Sequence, residues 1–435
     1  MGTRSQFVAA RRSDSRSVSA RTPNTRKFSE TETALTLTLS QRERGLWTLQ
    51  IKFNYASFVS YFAAKTCSMS SPYTKDDFGT NPLMFYYEVT QACDLVCKHC
   101  RASAQEKAAE DELPTELSLR LIDQVASFPR KPNIVFTGGD PLKRADIFTL
   151  IRYAVQKELS VALTPSATPL ATWQAFEQAK TAGVQAFGIS LDGHTANIHD
   201  SFRGFEGSFD KTTEMLENAK SLQIPVQVNT SITRRNVAYI DEMAEHLSRF
   251  DGVMMWSLFF LVPVGRGIEE ERISAEEYER VFAKLWHHAN EKPFAIKTTE
   301  APHYRRFVLR EGGNPLGKTD KARSNDGIRH RAPLGITDGR GIMFVSHNGS
   351  IYPAGFLPLE CGRFPQDSVV ETYQFHPTFK ALQNPDNYKG ICGRCEYRYV
   401  CGGSRARAFA ITGNPLEAEP DCCYQVGQDP IYREE

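Results

Sequence analysis

Between residues 84 and 289 the chain repeats one pattern six times: a short apolar run rich in β-branched and aromatic residues, then a longer stretch with apolar residues at helical spacing. The runs fall at 84–89, 133–137, 161–164, 186–191, 226–231 and 253–261. Amphipathic stretches fall at 118–128, 147–157, 172–182, 209–222, 239–250 and 275–289. A short apolar run bounded by turn residues suits a strand buried on both faces, and a helix between two such strands makes them parallel neighbours. The pattern predicts an α/β fold of βα units around a parallel sheet. Six units fall short of the eight that close a (β/α)8 barrel; in either case functional groups collect at the C-terminal ends of the strands.

Cysteines gather after the first of these runs. There are ten, too clustered for a secreted disulfide framework: seven form two tight groups, and Cys67, Cys361 and Cys423 stand apart. The first group follows the first run, with Cys93, Cys97 and Cys100 inside eight residues. Three thiols are one too few to close a tetrahedral zinc site or to saturate a cubane [4Fe–4S] cluster, so a cluster held there keeps one iron open to a ligand. A zinc knuckle that borrows a distant fourth ligand is the alternative. The second group, Cys392, Cys395, Cys401 and Cys422, has two, five and twenty residues between successive thiols and can close a complete S4 site, iron–sulfur or zinc.

The Cys-x3-Cys-x2-Cys spacing of Cys93, Cys97 and Cys100 resembles the signature of radical S-adenosylmethionine (SAM) enzymes. The resemblance implies a partial (β/α)6 TIM-like barrel over 82–292, in which the open iron is chelated by the amino and carboxylate groups of SAM. Gly138-Gly139-Asp140, after the second run, is similar to the family's GGE-type motif, which holds the SAM amino group; aspartate here stands for glutamate. The resemblance places Ser190 and Asp192 near the SAM ribose and carboxylate, and makes Asn229 a further contact. His99 occupies the place of an aromatic ring near adenine. Read from the residues alone, Asp192-Gly193 is equally an ordinary turn, and Arg203 is either a carboxylate clamp or a capping group. Residues 262–267 read as a flexible rim.

Beyond the barrel, 293–340 reads as a connector whose glycine- and charge-rich part, 311–331, is a mobile lid or a solvated insertion. Residues 341–425 form a small cysteine-rich α+β domain that opens on a β-hairpin around Asn348-Gly349, followed by a helix near 377–382. It resembles the SPASM or twitch extension of radical SAM enzymes, which implies an auxiliary [4Fe–4S] cluster on Cys392, Cys395, Cys401 and Cys422. The family's cysteine after the hairpin is replaced by Ala354, which leaves Cys361 or Cys423 as the candidates for any second set.

Residues 1–74 hold 11 of the 52 Lys/Arg and 4 of the 51 Asp/Glu, so the remaining body, with 41 and 47, is mildly acidic and lacks a nucleic-acid footprint. The leader reads as disordered, either a transit peptide or an extension upstream of a start at Met69. The longest apolar run, 253–263, is well short of the ~20 residues that cross a bilayer. The chain is expected in the cytoplasm, without nucleic-acid or membrane partners. The resemblance implies an oxidoreductase that reductively cleaves SAM to a 5′-deoxyadenosyl radical, fed by a low-potential donor of flavodoxin or ferredoxin type. The C-terminal run from Cys401 is similar to the tetrapyrrole-processing branch linked to haem biosynthesis, which implies a tetrapyrrole or other small-molecule substrate; Arg405 and Arg407 either meet propionates or cap and pair within the fold. The other readings are a maturase of a ribosomal peptide or protein, and a zinc-binding interaction module.

Overall fold

The computed structural model describes residues 38–42, 46–50, 74–313 and 335–428. The chain divides into two compact units, Met1–Ser71 and Pro72–Glu435. In the first, β1 (Thr38–Arg42) pairs antiparallel with β2 (Leu46–Gln50). Apart from this pair and residue 74, the predicted disorder of 1–74 lies outside the described residues, as does Cys67.

In the second unit all six predicted runs are strands: β3 (Met84–Glu88), β4 (Asn133–Thr137), β5 (Ser160–Leu163), β6 (Ala186–Ser190), β7 (Val226–Ile232) and β8 (Val253–Phe260). They lie side by side in chain order, each parallel to the next. The intervening helices are α1 (Thr115–Ala126), α2 (Ile147–Gln156), α3 (Trp173–Ala182), α4 (Ala196–Arg203), α5 (Ser208–Ser221), α6 (Ile240–Leu247) and α7 (Ala275–Glu291). Residues 196–203 are the helix α4, stopped by Gly204 at φ 65°. Helix α7 starts on a capping box: Ser274 Oγ accepts from Glu277 N at 3.3 Å, and Glu277 Oε2 accepts from Ser274 N at 2.7 Å.

The sheet outgrows the predicted six strands. β9 (Ala295–Thr299), within the expected connector, runs parallel to β8, and β10 (Ile342–Val345) runs parallel to β3 on the other side. The hairpin is then completed by β11 (Ser350–Tyr352) and β12 (Gly362–Arg363), so the C-terminal region opens as an extension of the barrel sheet. After β9 comes α8 (His303–Arg310); the predicted mobile segment beyond residue 313 lies outside the described residues up to 335. Helices α9 (Val369–Phe375), α10 (Pro377–Gln383), α11 (Gly390–Arg394) and α12 (Arg405–Thr412) complete the fold.

One continuous core lies between the strands' outer faces and the helices, including Phe85, Phe136, Ile151, Phe176, Trp256 and Phe282. Burying each such side chain stabilises by roughly 1.5–3 kcal/mol. Strand residues that alternate with these face the barrel interior and are polar at several positions: Gln227, Asn229 and Ser231 on β7 are half-buried between buried Val226, Val228, Thr230 and Ile232. A parallel sheet with a sealed outer face leaves chemistry one place to go, the barrel mouth.

Candidate active site

The chain leaves β3 at Glu88 and the three thiols follow in a loop whose path is set by three neighbouring segments. Gln105 is the first: its carbonyl accepts from Cys93 N at 2.7 Å, and its N–H reaches Gln91 O at 3.0 Å, which ties the two ends of the loop together. The turn after β4 is the second, where Gly139 N donates to Thr90 O at 2.8 Å and Asp140 N to Ala92 O at 2.6 Å. Glycine is required there by the close approach: a Cβ on Gly138 would lie 2.5 Å from Thr90 O, and one on Gly139 2.5 Å from Ala92 O. The exit of β8 is the third. Arg266 donates from its backbone to Cys100 O at 2.9 Å, from Nε to Cys97 O at 2.8 Å and from Nη1 to Ala104 O at 2.9 Å. The expected flexible rim at 262–267 is thus a clasp on the thiol loop.

Cys93 and Cys97 are buried and Cys100 half-buried, packed together with Leu95 and Ala104. Donors point at the sulfurs: Leu95 N at 3.4 Å from Cys93 Sγ, Ala104 N at 3.4 Å from Cys100 Sγ, and Arg203 Nη1 at 3.7 Å from Cys97 Sγ. Burial nevertheless pushes the Cys93 thiol up to about 11 and raises Cys97 as well, so thiolates there need a cationic group to bind. Three buried polar atoms beside the loop, His99 Nδ1, Arg203 Nε and Arg266 Nη2, have no hydrogen-bond partner among the described residues. Three thiols ringed by unspent nitrogens fit an iron–sulfur cluster with an anionic ligand on its open iron.

Two of the predicted SAM contacts have other work in this geometry. Asp140 is fully buried, and its carboxylate accepts from Leu142 N at 3.1 Å, Ser166 N at 3.3 Å and Thr168 Oγ1 at 2.7 Å. It braces the β4 and β5 turns rather than presenting a free acceptor. Asp192 is also buried: Oδ1 takes Ser231 N at 2.7 Å, Oδ2 meets Arg203 Nη2 at 2.6 Å, and its backbone oxygen takes Asn236 Nδ2 at 3.0 Å. The Arg203 guanidinium thereby links Asp192 to Cys97, so this arginine belongs to the site. His99 Nε2 lies 3.9 Å from Asp192 Oδ2, and its ring sits 4.5 Å from that of Phe202. Burial and then the charge of Arg203 hold His99 well below its usual range, so it is neutral at pH 7. Ser190, the last residue of β6, and Asn229, in the middle of β7, are direct register partners, both half-buried on the interior face.

One group escaped sequence reasoning. Glu88, at the end of β3, is buried between Arg101 Nη2 at 2.7 Å and His347 Nδ1 at 2.9 Å, and Arg101 stacks 4.6 Å over Phe344. Burial pushes the Glu88 carboxyl up, but Arg101 and His347 outweigh it and hold the group below its ordinary range. This triad joins the thiol loop to the C-terminal hairpin.

The second thiol group does come together. Cys392, Cys395, Cys401 and Cys422 line one cavity with His303, Arg306 and Glu419. Glu419 N donates to Cys392 Sγ at 3.3 Å and Gly403 N to Cys401 Sγ at 3.4 Å, through a Gly402-Gly403 turn at φ 72° and 66°. Cys423 is exposed and turned to Ala275 O, while Cys361 is buried near Leu359 O; neither lines the cavity. Among the described residues no three His, Cys, Asp or Glu side chains close to the separation a single metal ion needs. Of the two readings of Arg405 and Arg407, the structure has the pairing within the fold. Both are fully buried; Arg405 donates to the carbonyls of Pro415 and Glu417, and Arg407 pairs with Asp421 at 2.9 Å and Glu419 at 3.2 Å.

A partial barrel with an incomplete thiol set at its mouth and a complete one beyond it defines a class: an iron–sulfur enzyme that binds SAM. The sequence matches the Radical SAM superfamily over residues 87–247. It is 37% identical over 374 residues to the AdoMet-dependent heme synthase of Oleidesulfovibrio alaskensis, covering 84% of this chain and 94% of that one. The mycofactocin maturase MftC of Mycobacterium tuberculosis is 27% identical over 372 residues, covering 81% and 86%. Streptococcus suis SuiB bound to its precursor peptide SuiA shares the fold with a TM-score of 0.62 at 13% identity, over 85% of this chain and 87% of that one. The chain belongs to the radical SAM superfamily, and is an enzyme using a [4Fe–4S] cluster and SAM.

Proposed function

We propose that this enzyme oxidises a tetrapyrrole, with Cys93, Cys97 and Cys100 holding the SAM-binding cluster and Cys392, Cys395, Cys401 and Cys422 an auxiliary one. When bound, the first cluster supplies the electron that splits SAM to a 5′-deoxyadenosyl radical, and the second supplies an acceptor for the electron the substrate gives up. The chain's own part is to seal the loop with Arg266, to set Arg203 and Asp192 beside Cys97, and to confine the radical inside a barrel whose outer face is packed. The observation that carries the substrate class is the near full-length match to a heme synthase at 37% identity, against 27% for the peptide maturase. SuiB, with its bound peptide, supports a second reading, peptide maturation, on fold alone. Among the described residues no helix is long and apolar enough to cross a membrane. Reduced clustered thiols support a cytoplasmic setting with a low-potential flavodoxin or ferredoxin as donor.

The test is anaerobic turnover of the reconstituted enzyme with SAM, dithionite and iron-coproporphyrin III. The expected result is 5′-deoxyadenosine in proportion to a mass change in the tetrapyrrole. Stimulation of 5′-deoxyadenosine by a precursor peptide and not by the tetrapyrrole would overturn the assignment.

A further inference from the structure

The barrel interior contains several cations, and most have at least one partner on the protein itself. Arg101 is held by Glu88, Arg203 by Asp192, and Arg266 mainly by loop carbonyls. Arg340 donates to the carbonyls of Gly335 and Tyr399. Lys297 differs. It lies in the middle of β9, opposite Ser257 of β8 in the parallel register. Its neighbours Ile296 and Thr298 are buried on the outer face, where Ile296 joins the core beneath the helices. Lys297 therefore shares the inner face with Thr299, whose hydroxyl lies 3.4 Å from that of Ser257. Half-buried there, it has no hydrogen bond or ion pair among the described residues.

Behind it stands Arg305 of α8, also half-buried, with one guanidinium nitrogen on Val400 O at 3.1 Å and no carboxylate partner among the described residues. Val400 precedes Cys401, so this second cation is tied to the loop that carries one of the auxiliary thiols. Desolvation, with Arg305 adding to it, pushes the Lys297 amine down to about 8. Ammonium groups drawn partly out of bulk water are usually paired within the protein. A half-buried ammonium on an interior face, open to the barrel lumen and without a protein partner among the described residues, is available to a group that arrives from outside.

We propose that Lys297, with Arg305 behind it, receives a carboxylate of the substrate inside the barrel. This rests on the tetrapyrrole reading and sharpens it: the substrate must carry an ionised carboxylate on the edge that faces β9, and the fully esterified compound should be refused. The arrangement fits a small polycarboxylate better than an apolar ligand, because an apolar edge would leave the ammonium desolvated with no partner.

The experiment is an absorbance titration of the cluster-loaded enzyme, in the presence of SAM and without reductant, using iron-coproporphyrin III as the free acid and as its tetramethyl ester. The wild type should bind the acid about 10- to 100-fold more tightly than the ester, the range expected for one charge-assisted hydrogen bond. Lys297→Met should lose that preference by weakening acid binding alone, and Lys297→Arg should recover most of it. Iron content and melting temperature of each variant establish that it has folded. A Lys297→Met enzyme that folds, and still prefers the acid as strongly as the wild type, overturns the inference and leaves the tetrapyrrole reading standing. A wild type that binds neither compound overturns the tetrapyrrole reading, and the inference with it.

Discussion

Replacing Cys93, Cys97 and Cys100 together by alanine is expected to abolish SAM cleavage and to leave about four irons per chain, the content of one cubane cluster. The two thiol groups are structurally separate. The first hangs on the loop after β3, and the second lines its own cavity, closed by the Gly402-Gly403 turn and by Glu419. Removing three sulfur atoms from a small buried cluster with Leu95 and Ala104 costs packing on the order of 1 kcal/mol each, well within what a domain with a core this continuous tolerates. Loss of activity should therefore come without loss of fold. Iron content and 5′-deoxyadenosine formation under dithionite check this. Cleavage at the wild-type rate by the triple variant would show that the loop is not where SAM is reduced.

A single methyl group should do nearly as much damage. Gly265 sits at φ 63°, and a Cβ there would press into the carbonyl oxygens of both Cys100 and Arg101, well inside contact distance. Backbone cannot rotate aside as a side chain can, so Gly265→Ala must either push the thiol loop away or pull Arg266 off its three carbonyls. Either shift moves Cys97 and Cys100 by a large fraction of an ångström. Displacements near 1 Å at a reacting centre cost about 100-fold in rate, and that is the expected fall in SAM cleavage. Gly207→Ala is the control: its φ is 84°, so the residue carries a comparable backbone penalty of roughly 1–2 kcal/mol, but nothing lies within 4 Å of the added carbon. It should lower the melting temperature with little effect on cleavage. Equal turnover and iron content in Gly265→Ala and wild type would contradict the clasp.

What the sequence revealed, and what it hid, divides by range. The six strands were legible because each is a short run of apolar, β-branched or aromatic residues, continuous or alternating, and the thiols because ligand spacing is a local property. Strand β9 was not: Ala-Ile-Lys-Thr-Thr buries one strong apolar residue, and its half-buried lysine reads as a surface position. Arg266 carried no signal and Arg203 only an undecided one, a carboxylate clamp or a cap, since each gains its meaning from a loop 100 to 170 residues earlier. Arg405 and Arg407 stayed undecided between two readings for the same reason. Their buried partners, Glu419 and Asp421, come after a turn, and nothing in the helix itself tells a propionate clamp from a folded ion pair. Asp140 and Asp192 were found at the right place, the C-terminal ends of strands, but position alone could not tell that Thr168, Ser231 and Arg203 would occupy their oxygens.

Everything above depends on Cys93, Cys97 and Cys100 holding a cluster with an open iron. The direct measurement is electron paramagnetic resonance on the anaerobically purified, dithionite-reduced wild type, with and without SAM, alongside an iron and zinc count. About eight irons per chain, negligible zinc, and a cluster signal that changes on adding SAM and is missing from the triple alanine variant are the predicted result. A colourless protein loaded with zinc, or an iron–sulfur signal indifferent to SAM, would contradict it.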